Sequence, residues 1–286
     1  MYQVILFYKY VTIEDPAAPV ATVRELAQKH QLLGRVLIAD EGINGTLEGT
    51  VEQTEAFIVE LLKDERLSDM NIKRSQGTGS AFAKLVVKVR NEIVGTRFDK
   101  NEIDPRVRTA PHVSARDMHQ WYRSEKDFVV VDMRNDFEFQ SGHFKNSINP
   151  GLRASRDLPD AMDKLEPYKD KTVVTVCTGG VRCEKMSAYL LHKGFTDVYQ
   201  LENGMHTYME EFPGEDFLGT LYTFDGRVVM DFGGDREIVG TCRLCGGKTE
   251  RYVNCANQSC HLHFLVCDSC ATPDGAYCSA ECHSIH

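Results

Sequence analysis

The sequence lacks any apolar run that approaches the ~18 residues needed to span a bilayer as a helix. Its first segment, MYQVILFYKY, alternates apolar and polar residues and carries Lys9, without the long apolar stretch and small-residue cleavage site of a signal peptide. Internal repeats and low-complexity tracts are also missing. We therefore expect a globular protein in the cytoplasm that has no membrane partner.

Two cofactor signatures are absent as well. The sequence contains no flavin or nicotinamide fingerprint, and no set of two histidines and one carboxylate that would bind iron can be read from it. Hydrophobic residues make up 42% of the chain, which is enough for real cores, and the length suggests two or three domains. We therefore expect several small domains and no flavin or nicotinamide cofactor.

Positive charge is scarce overall. The 286 residues carry a net charge of −9, so the chain as a whole should not attract nucleic acid indiscriminately. The distribution is uneven, because residues 71–108 contain nine Lys or Arg side chains and only four acidic ones. This segment is either a solvated face with a linker or a surface that contacts a phosphate backbone. On the second interpretation, the RNA-contacting candidates are Lys73, Arg74, Lys84, Lys88 and Arg90.

Residues 1–94 have the pattern of a small α+β domain. Strand-like and helix-like segments follow the order β-α-β-β-α-β, which is that of the ferredoxin-like, or acylphosphatase-like, fold. The central hairpin includes EGINGTLEG, in which Gly42, Gly45 and the Asn44-Gly45 pair are predicted to supply the turn chemistry, and Thr50 precedes the second helix as an N-cap. The last strand is predicted within residues 82–94, FAKLVVKVRNEIV.

The remaining chain divides into four segments. Residues 95–113 hold two prolines and many charges with little periodicity, which predicts a linker. Residues 114–213 alternate short apolar strands with helices, a pattern typical of a parallel α/β domain. Residues 214–240 contain two alternating runs around an Asp-Gly pair, which predicts a β-hairpin connector, and residues 241–286 form a cysteine-rich tail.

A cysteine stands at the end of a buried strand in KTVVTVCTGGVRCEK (171–185). In open parallel α/β sheets, chemistry takes place at the carboxyl ends of the strands, where Cys177 lies. The glycines that follow let backbone N–H groups point inward, and the positive end of the next helix favours a thiolate. We take Cys177 and Arg182 as catalytic; a structural cysteine in a tight turn is the alternative. The supporting loop residues are Thr178, Gly179, Gly180, Val181 and Cys183.

The length of this loop favours sulfur chemistry over phosphate chemistry. Loops of the tyrosine-phosphatase type place the arginine one residue further from the cysteine than Arg182 is from Cys177. Together with VVDMRNDFEFQSGHFKNSINP, which runs from a strand through Asp-x-Arg to a Gly-His pair, the loop makes residues 114–213 resemble a rhodanese domain. The resemblance implies that Asp132 and Arg134 brace the active loop; strand-end capping and a surface ion pair are the alternative.

Three motifs in this order make the chain resemble a narrower family. They are EGINGT (41–46), RNDFE (134–138) and CTGGVRCEK (177–185), and the resemblance covers about residues 2–232. The chain is similar to the bacterial rhodanese-containing tRNA uridine 5-hydroxylases. The resemblance implies oxygen-dependent hydroxylation of the wobble uridine, position 34, to 5-hydroxyuridine, with the tRNA anticodon loop as partner and molecular oxygen as co-substrate. It also implies that Cys177 is the catalytic cysteine.

The role of the thiol and the function itself keep alternatives. Cys177 would act either as a persulfide or by covalent addition to the pyrimidine, and Cys183 could resolve a bond formed at Cys177. The other functions are a sulfurtransferase that carries sulfane sulfur on Cys177, and a non-catalytic RNA- or protein-binding module. Candidates for stacking on the base, with core packing as their alternative, are Tyr8, Tyr10, Phe82 and Phe98.

Eight of the ten cysteines fall in the tail, in the pairs CRLC, CANQSC, CDSC and CSAEC. Dense pairs in a chain without an export signal favour metal over disulfides, and thiolates suit zinc. We predict two structural zinc sites with crossed pairing, because crossing would staple a segment too poor in apolar residues for a core. Sequential pairing and a redox-active or disulfide cluster are the alternatives. The crossed sites are Cys242, Cys245, Cys267 and Cys270, and Cys255, Cys260, Cys278 and Cys282; substitute ligands could be His261, His263, His283 and His286.

Overall fold

The computed structural model describes residues 1–234, 237–272 and 275–284. The first domain comprises β1 (Tyr2–Tyr10), α1 (Ala17–Lys29), β2 (Leu33–Ala39), β3 (Gly42–Thr50), α2 (Val51–Leu61), a 3-10 turn (Glu65–Leu67), β4 (Ile72–Gln76) and β5 (Leu85–Val89). The five strands form one sheet in the order β4-β1-β3-β2-β5. The first four pair antiparallel, as the predicted ferredoxin-like fold requires, and β5 joins β2 in parallel.

One face of this sheet carries the core of the domain. Phe7 of β1 and Val36 of β2 point to the helices, and the Phe7 ring lies 6.3 Å from that of Phe57 in α2. Helix α2 begins after Thr50, whose hydroxyl accepts the N–H of Gln53 while the Gln53 side chain accepts the N–H of Thr50. The opposite face of the sheet, which the two helices leave uncovered, is turned toward the second domain.

Two details predicted for the first domain are wrong. The fourth strand of the ferredoxin-like order is β4, which the sequence pattern did not indicate, and the predicted last strand is β5 at the opposite edge. The turn between β2 and β3 lies at Asp40 and Glu41, so Asn44 and Gly45 fall inside β3. A glycine is required at position 45 by packing, because a Cβ there would overlap the Phe7 ring.

The second domain comprises β6 (His112–Val113), α3 (Ala115–Arg123), β7 (Val129–Asp132), α4 (Asp136–Ser141), β8 (Gly142–Phe144), β9 (Thr172–Val176), α5 (Val181–His192), β10 (Asp197–Leu201) and α6 (Gly204–Glu211). Four of its strands form a parallel sheet in the order β6-β10-β9-β7, which confirms the α/β class. A 3-10 helix, Ser155–Lys164, lies between β8 and β9, and Pro159 within it lacks a backbone donor.

The rest of the chain is built from short elements. They are β11 (Phe217–Gly219), β12 (Leu221–Tyr222), β13 (Val229–Met230), β14 (Tyr252–Asn254), β15 (His263–Leu265) and α7 (Ala280–Ser284). Strand β11 pairs with β8, β12 and β13 form a hairpin, and β14 and β15 form a second one. Across the described ranges, no helix is long and apolar enough to cross a membrane.

The segment predicted as a linker, residues 95–113, is packed against the second domain. Phe98, Ile103 and Ala110 are buried in its core, and the Phe98 ring stacks on that of Tyr189 with centroids 4.5 Å apart. Apolar contacts at three positions therefore fix the connection between the domains.

Helix α5 joins the two domains through buried polar side chains. Lys185 Nζ lies 2.8 Å from Glu41 Oε2 and 3.3 Å from Glu92 Oε1, and both carboxylates belong to the first domain. Glu184 accepts hydrogen bonds from the Tyr8 hydroxyl at 3.2 Å and, within its own domain, from Gln200 Nε2 at 3.0 Å. The first turns of α5, which follow the cysteine loop, are thus held directly against the first domain.

Candidate active site

A cavity of about 430 Å³ lies between the helix-free face of the first sheet and the Cys177 loop. Strands β1, β3 and β4 form one wall, residues 177–182 contribute to the facing wall, and the β12–β13 hairpin closes a side. Arg227 fastens this hairpin to the first domain by donating to Ser75 Oγ at 2.8 Å and to the Gln76 carbonyl at 3.0 Å. The volume falls within the range of small-ligand sites.

Cys177 follows β9 directly, and its side chain is fully buried. The N–H of Gly180 donates to the Cys177 Sγ at 3.2 Å. Gly180 has a φ of +97°, and a Cβ there would lie 2.7 Å from the Tyr8 hydroxyl; a Cβ on Gly179 would lie 2.7 Å from Leu6 Cδ2. The two glycines are needed because β1 passes so close to the loop.

The surroundings of Cys177 favour the thiolate. Burial raises the pKa of this thiol, but a hydrogen bond from Cys183, the charge of Arg182 and the N–H groups of both residues outweigh burial and lower the pKa to about 6. Burial and the adjacent Cys177 raise the pKa of the Cys183 thiol well above its usual range. Cys183, in the first turn of α5, is therefore the thiol of the two that keeps its proton.

Arg182 is held in place by a buried carboxylate. Its two terminal nitrogens donate to the two oxygens of Glu138 at 2.6 and 2.8 Å, and Nη2 lies 3.4 Å from Thr178 Oγ1. Burial opposes the charge on Arg182, but Glu138 raises the pKa of the guanidinium above its usual range. On its other side, the guanidinium lies 5.7 Å from the centre of the Phe224 ring. Arg182 therefore supplies a fixed charge beside Cys177.

Asp132 and Arg134 form a buried pair next to this site. Arg134 Nη2 donates to Asp132 Oδ2 at 2.7 Å and to the Gly142 carbonyl at 2.6 Å, which joins the end of β7 to β8. These hydrogen bonds stay within residues 132–142, the segment that contains α4 and Glu138. The pair therefore braces the helix that holds Arg182, one step away from the loop.

The five RNA-contacting candidates do not share one surface. Lys73 lies in the cavity wall and is only 5% exposed, whereas the adjacent Arg74 points to the helix side of the sheet, where it binds Glu55. Lys84 and Lys88 are exposed at β5, on the opposite edge of the sheet, as is Arg90 just beyond that strand. The five candidates therefore do not form one continuous basic patch.

Of the aromatic candidates, only Phe82 lines the cavity. Phe98 is a core residue, and Tyr8 and Tyr10 lie between the domains, where the Tyr10 hydroxyl donates to the Val181 carbonyl at 3.2 Å. A second aromatic side chain at the cavity is Phe224, which sequence analysis missed although it directly precedes the predicted Asp-Gly turn.

The EGINGT motif contributes more than a turn. Glu41 binds Lys185 and also accepts the N–H of Ile93 at 2.8 Å, while Asn44 Nδ2 donates to the Ile93 carbonyl at 3.1 Å. Asn44 and Thr46 line the cavity, because alternate residues of β3 face away from the helices. The signal was in the sequence, since a polar residue at every second position within a strand marks its second face.

Lys73 and His206 are two further titratable side chains that line the cavity, as Arg35, Asp225 and Arg227 also do, and the sequence pattern placed none of them there. His206 of α6 is 6% exposed, and its backbone N–H donates to the Thr178 carbonyl at 3.0 Å. Both residues reach the cavity from elements far from Cys177 in the chain, so no local motif points to them.

The eight tail cysteines form two clusters with crossed pairing. Cys242, Cys245, Cys267 and Cys270 make one, and Cys255, Cys260, Cys278 and Cys282 make the other; within each, all Sγ atoms lie within 4.8 Å of one another. Four thiols at this spacing suit a tetrahedral, thiophilic ion such as Zn²⁺. Among the described residues, neither cluster includes a histidine, and His286 lies outside those residues.

An aromatic group joins the tail to the site. The Tyr252 hydroxyl donates to the Phe137 carbonyl, and the Tyr252 ring stacks on that of His263 with centroids 4.9 Å apart. Phe137 precedes Glu138 in α4 and packs edge-on against Tyr222 of the hairpin, at 5.1 Å. The tail therefore contacts the helix that positions Arg182.

Family models match three consecutive regions of the chain. Residues 2–93 match the UPF0176 acylphosphatase like domain, residues 114–211 match the Rhodanese-like domain, and residues 218–283 match a model described as Rhodanase C-terminal. Among curated proteins, the chain is 41% identical over 285 residues to the tRNA uridine(34) hydroxylases of Staphylococcus carnosus (strain TM300) and Staphylococcus aureus (strain Newman). Each alignment covers 98% of this chain and 89% of the relative.

Solved structures resemble single domains. A Rhodanese-like Domain Protein from Staphylococcus aureus is 26% identical, with a TM-score of 0.31, over 34% of this chain and 90% of that chain. Acylphosphatase from Bacillus subtilis is 16% identical, with a TM-score of 0.26, over 31% of this chain and 99% of that chain.

Proposed function

The chain belongs to the tRNA uridine(34) hydroxylase family, and on that premise we propose that it hydroxylates the wobble uridine of tRNA to 5-hydroxyuridine. It is then an oxidoreductase that uses molecular oxygen and works in the cytoplasm. The observation that supports the proposal best is Cys177, an activated thiol in the wall of a ligand-sized cavity between two domains.

The substrate base would enter the cavity from the anticodon loop. Enzymes that modify a base extrude it from the stack and bind it between apolar or aromatic side chains. Phe82 and Phe224 could flank a pyrimidine ring here, and Asn44 and Thr46 offer polar groups for its edge. Exposed cations outside the cavity would contact the backbone; we propose Arg35 at the rim, with Lys84, Lys88 and Arg90 further along.

Cys177 is proposed as the nucleophile, with Arg182 as the charge that keeps it ionised. The thiolate could add to the pyrimidine or carry a persulfide, and Cys183 could resolve a bond at Cys177 because it keeps its proton beside it. The other loop residues, Thr178 to Val181, would hold the sulfur through backbone N–H groups, as the Gly180 amide does. Asp132 and Arg134 are proposed to support this loop through α4.

A sulfurtransferase is the second candidate function. The Gly180 N–H aimed at Sγ would also stabilise a persulfide on Cys177. Against this function, the first domain and the hairpin enclose Cys177 on sides that a small sulfur donor would not need. Thiosulfate:cyanide turnover equal to that of dedicated sulfurtransferases would favour it.

We further propose that each cysteine cluster holds one structural Zn²⁺. Four thiolates make a closed site with no open position for water, so the ion would stabilise the tail and take no part in the reaction. Metal analysis of the purified protein should give about two zinc ions per chain. A metal-free tail that remains folded would contradict this assignment.

The test of the main proposal is a genetic deletion followed by mass spectrometry of tRNA nucleosides. We expect 5-hydroxyuridine and its derivatives to disappear in the deletion, to return with the wild-type gene, and to stay absent with Cys177→Ala or Cys177→Ser. Protein levels are checked for each variant. If the modification persists in the deletion when no redundant enzyme is present, the proposed function is wrong.

A further inference from the structure

Among the residues that the structure describes, one buried ammonium has no hydrogen-bond partner. The Lys73 side chain lies on β4 in the cavity wall, is 95% buried because only 5% of its surface is exposed, and its Nζ makes no hydrogen bond. Two other cations with little exposure in the described part of the chain are paired: Lys185 with Glu41 and Arg182 with Glu138. A buried ammonium that no acceptor contacts directly is costly to maintain, so one that lines a cavity is a candidate for binding a ligand.

The groups that surround Lys73 leave it charged near neutral pH. Burial lowers the pKa of Lys73 to about 8, and the negative groups around it limit the decrease. Its Nζ lies 5.3 Å from the centre of the Tyr8 ring, which offers a weak cation–π contact but no negative charge. The negative groups are Cys177, Glu210, Glu184 and Glu202, in decreasing order of effect.

We propose that the Lys73 ammonium binds a carbonyl oxygen of the uracil base and acts as the electrophilic catalyst of the reaction, opposite Cys177. This inference rests on the proposed function, with Cys177 adding to the base. In that step a bond forms between Sγ and C6 of uracil, and the C5–C6 π electrons move onto the C4 carbonyl, whose oxygen becomes an enolate. No proton, oxidant or leaving group is needed.

The ammonium of Lys73 would neutralise this enolate, as an oxyanion hole does in acyl transfer. The same electron shift makes C5 electron-rich, and C5 is the atom that receives the hydroxyl group. Arg182 is less suited to this purpose, because each of its terminal nitrogens already donates to the Glu138 carboxylate, whose charge offsets that of the guanidinium.

A base oxygen suits Lys73 better than a phosphate. The neighbouring cavity wall is apolar, with Val4, Leu6 and Phe82 near the sheet, whereas a phosphate keeps its negative charge and its water. The exposed Arg35 at the rim is the better phosphate ligand. The salt dependence of tRNA binding distinguishes a base oxygen from a phosphate as the ligand of Lys73. Loss of one phosphate contact lowers the slope of log affinity against log salt concentration by about one unit.

The test compares Lys73→Met, Lys73→Arg and the control Lys9→Met. Lys9 lies on β1 but points away from the cavity and binds Asp69, so the control removes the same charge from the other face of the sheet. Purified variants are added to a lysate of the deletion strain with tRNA that lacks the modification, and 5-hydroxyuridine is measured over time. Binding of the same tRNA is measured at several salt concentrations, and thermal unfolding of each variant is recorded.

For Lys73→Met we expect about 100-fold slower formation of 5-hydroxyuridine, the effect of removing one oxyanion donor. Its tRNA affinity and salt slope should stay at the wild-type values, and its unfolding temperature should not fall, because methionine replaces an unpaired buried charge. Lys73→Arg should recover part of the rate, and Lys9→Met should match the wild type.

The outcomes separate the two proposals. An active wild type together with an equally active Lys73→Met refutes the role of Lys73 alone. A salt slope lowered by about one unit with an unchanged rate identifies a phosphate contact and also refutes it. Lower thermal stability of Lys73→Met, with no recovery in Lys73→Arg, would identify a structural lysine. A wild type that forms no 5-hydroxyuridine refutes the proposed function and the Lys73 role with it.

Discussion

Replacing Lys185 with methionine should weaken the contact between the two domains. The Lys185 side chain is 3% exposed, and its ammonium lies between Glu41 at 2.8 Å and Glu92 at 3.3 Å. It also donates to the Val94 carbonyl at 3.3 Å. Methionine keeps most of the length and volume of the side chain, so the change removes the charge and the hydrogen bonds while leaving little cavity.

The expected loss follows from what remains after the substitution. Two carboxylates with side-chain exposures of 5% and 11% would share a buried site without a cation. Removing one partner of a buried ion pair costs about 3–5 kcal/mol. At ~2–4 °C per kcal/mol for a chain of this size, the unfolding midpoint should fall by roughly 10 °C. Urea unfolding and thermal scans measure both quantities.

A double variant and a surface control test whether the buried ion pair causes the loss of stability. Glu41→Gln combined with Lys185→Met removes one of the unpaired charges, so the double variant should be more stable than Lys185→Met alone. Lys29→Met, which breaks an exposed ion pair with Glu60, should change the midpoint little. A loss below about 1 kcal/mol for Lys185→Met would show that water reaches this ion pair and that α5 is not anchored through it.

Three further predictions concern the thiol, the tail and the first sheet. The rate at which iodoacetamide alkylates Cys177 should rise as the pH increases through about 6, because the thiolate is populated above the lowered pKa, and Cys183→Ala should move this midpoint upward; a midpoint near the usual thiol value would contradict the site geometry. A chelator that removes the proposed zinc ions should lower the thermal midpoint and slow 5-hydroxyuridine formation, because Tyr252 would no longer hold α4; unchanged kinetics would show that the tail is independent of the site. Gly45→Ala should cost about 1–3 kcal/mol in urea unfolding, since its Cβ would overlap the Phe7 ring, and a neutral effect would mean that the ring can move.

The domain architecture could be predicted because its signals are local. Periodicity indicated the two fold classes, and paired cysteines indicated the composition of the tail. Crossed pairing could also be predicted, because a tail without an apolar core needs links between its ends. The cluster that contains Cys242 and the cluster that contains Cys255 both have this arrangement. The loop from Cys177 to Arg182 was identified for the same reason, since strand, glycines and helix start are adjacent in sequence.

The features that the sequence pattern did not indicate depend on contacts between distant segments. Asn44 and Gly45 have the composition of a turn, yet they lie within β3 because Gly45 accommodates the Phe7 ring and Asn44 binds the Ile93 backbone. Lys73 belongs to a strand whose short, polar sequence, IKRSQ, carries no strand signal, and the strand forms because β1 offers it a free edge. Tertiary context decides such cases over local propensity.

The arrangement explains why one activity would need every part of the chain. The charge of Arg182 helps to ionise Cys177 in the rhodanese-like loop. The orientation of Arg182 depends in turn on Glu138 and hence on α4. The tail contacts α4 through Tyr252, so the cysteine clusters support the site from outside. The first domain then adds what the loop lacks: a second wall, an unpaired cation at Lys73, and the contacts to α5 that hold the wall at a fixed distance. A sulfur carrier needs a thiol that its partners can reach, whereas a hydroxylase must enclose the base that it modifies. Both domains line the cavity that contains Cys177, which is the arrangement expected for enclosing a base.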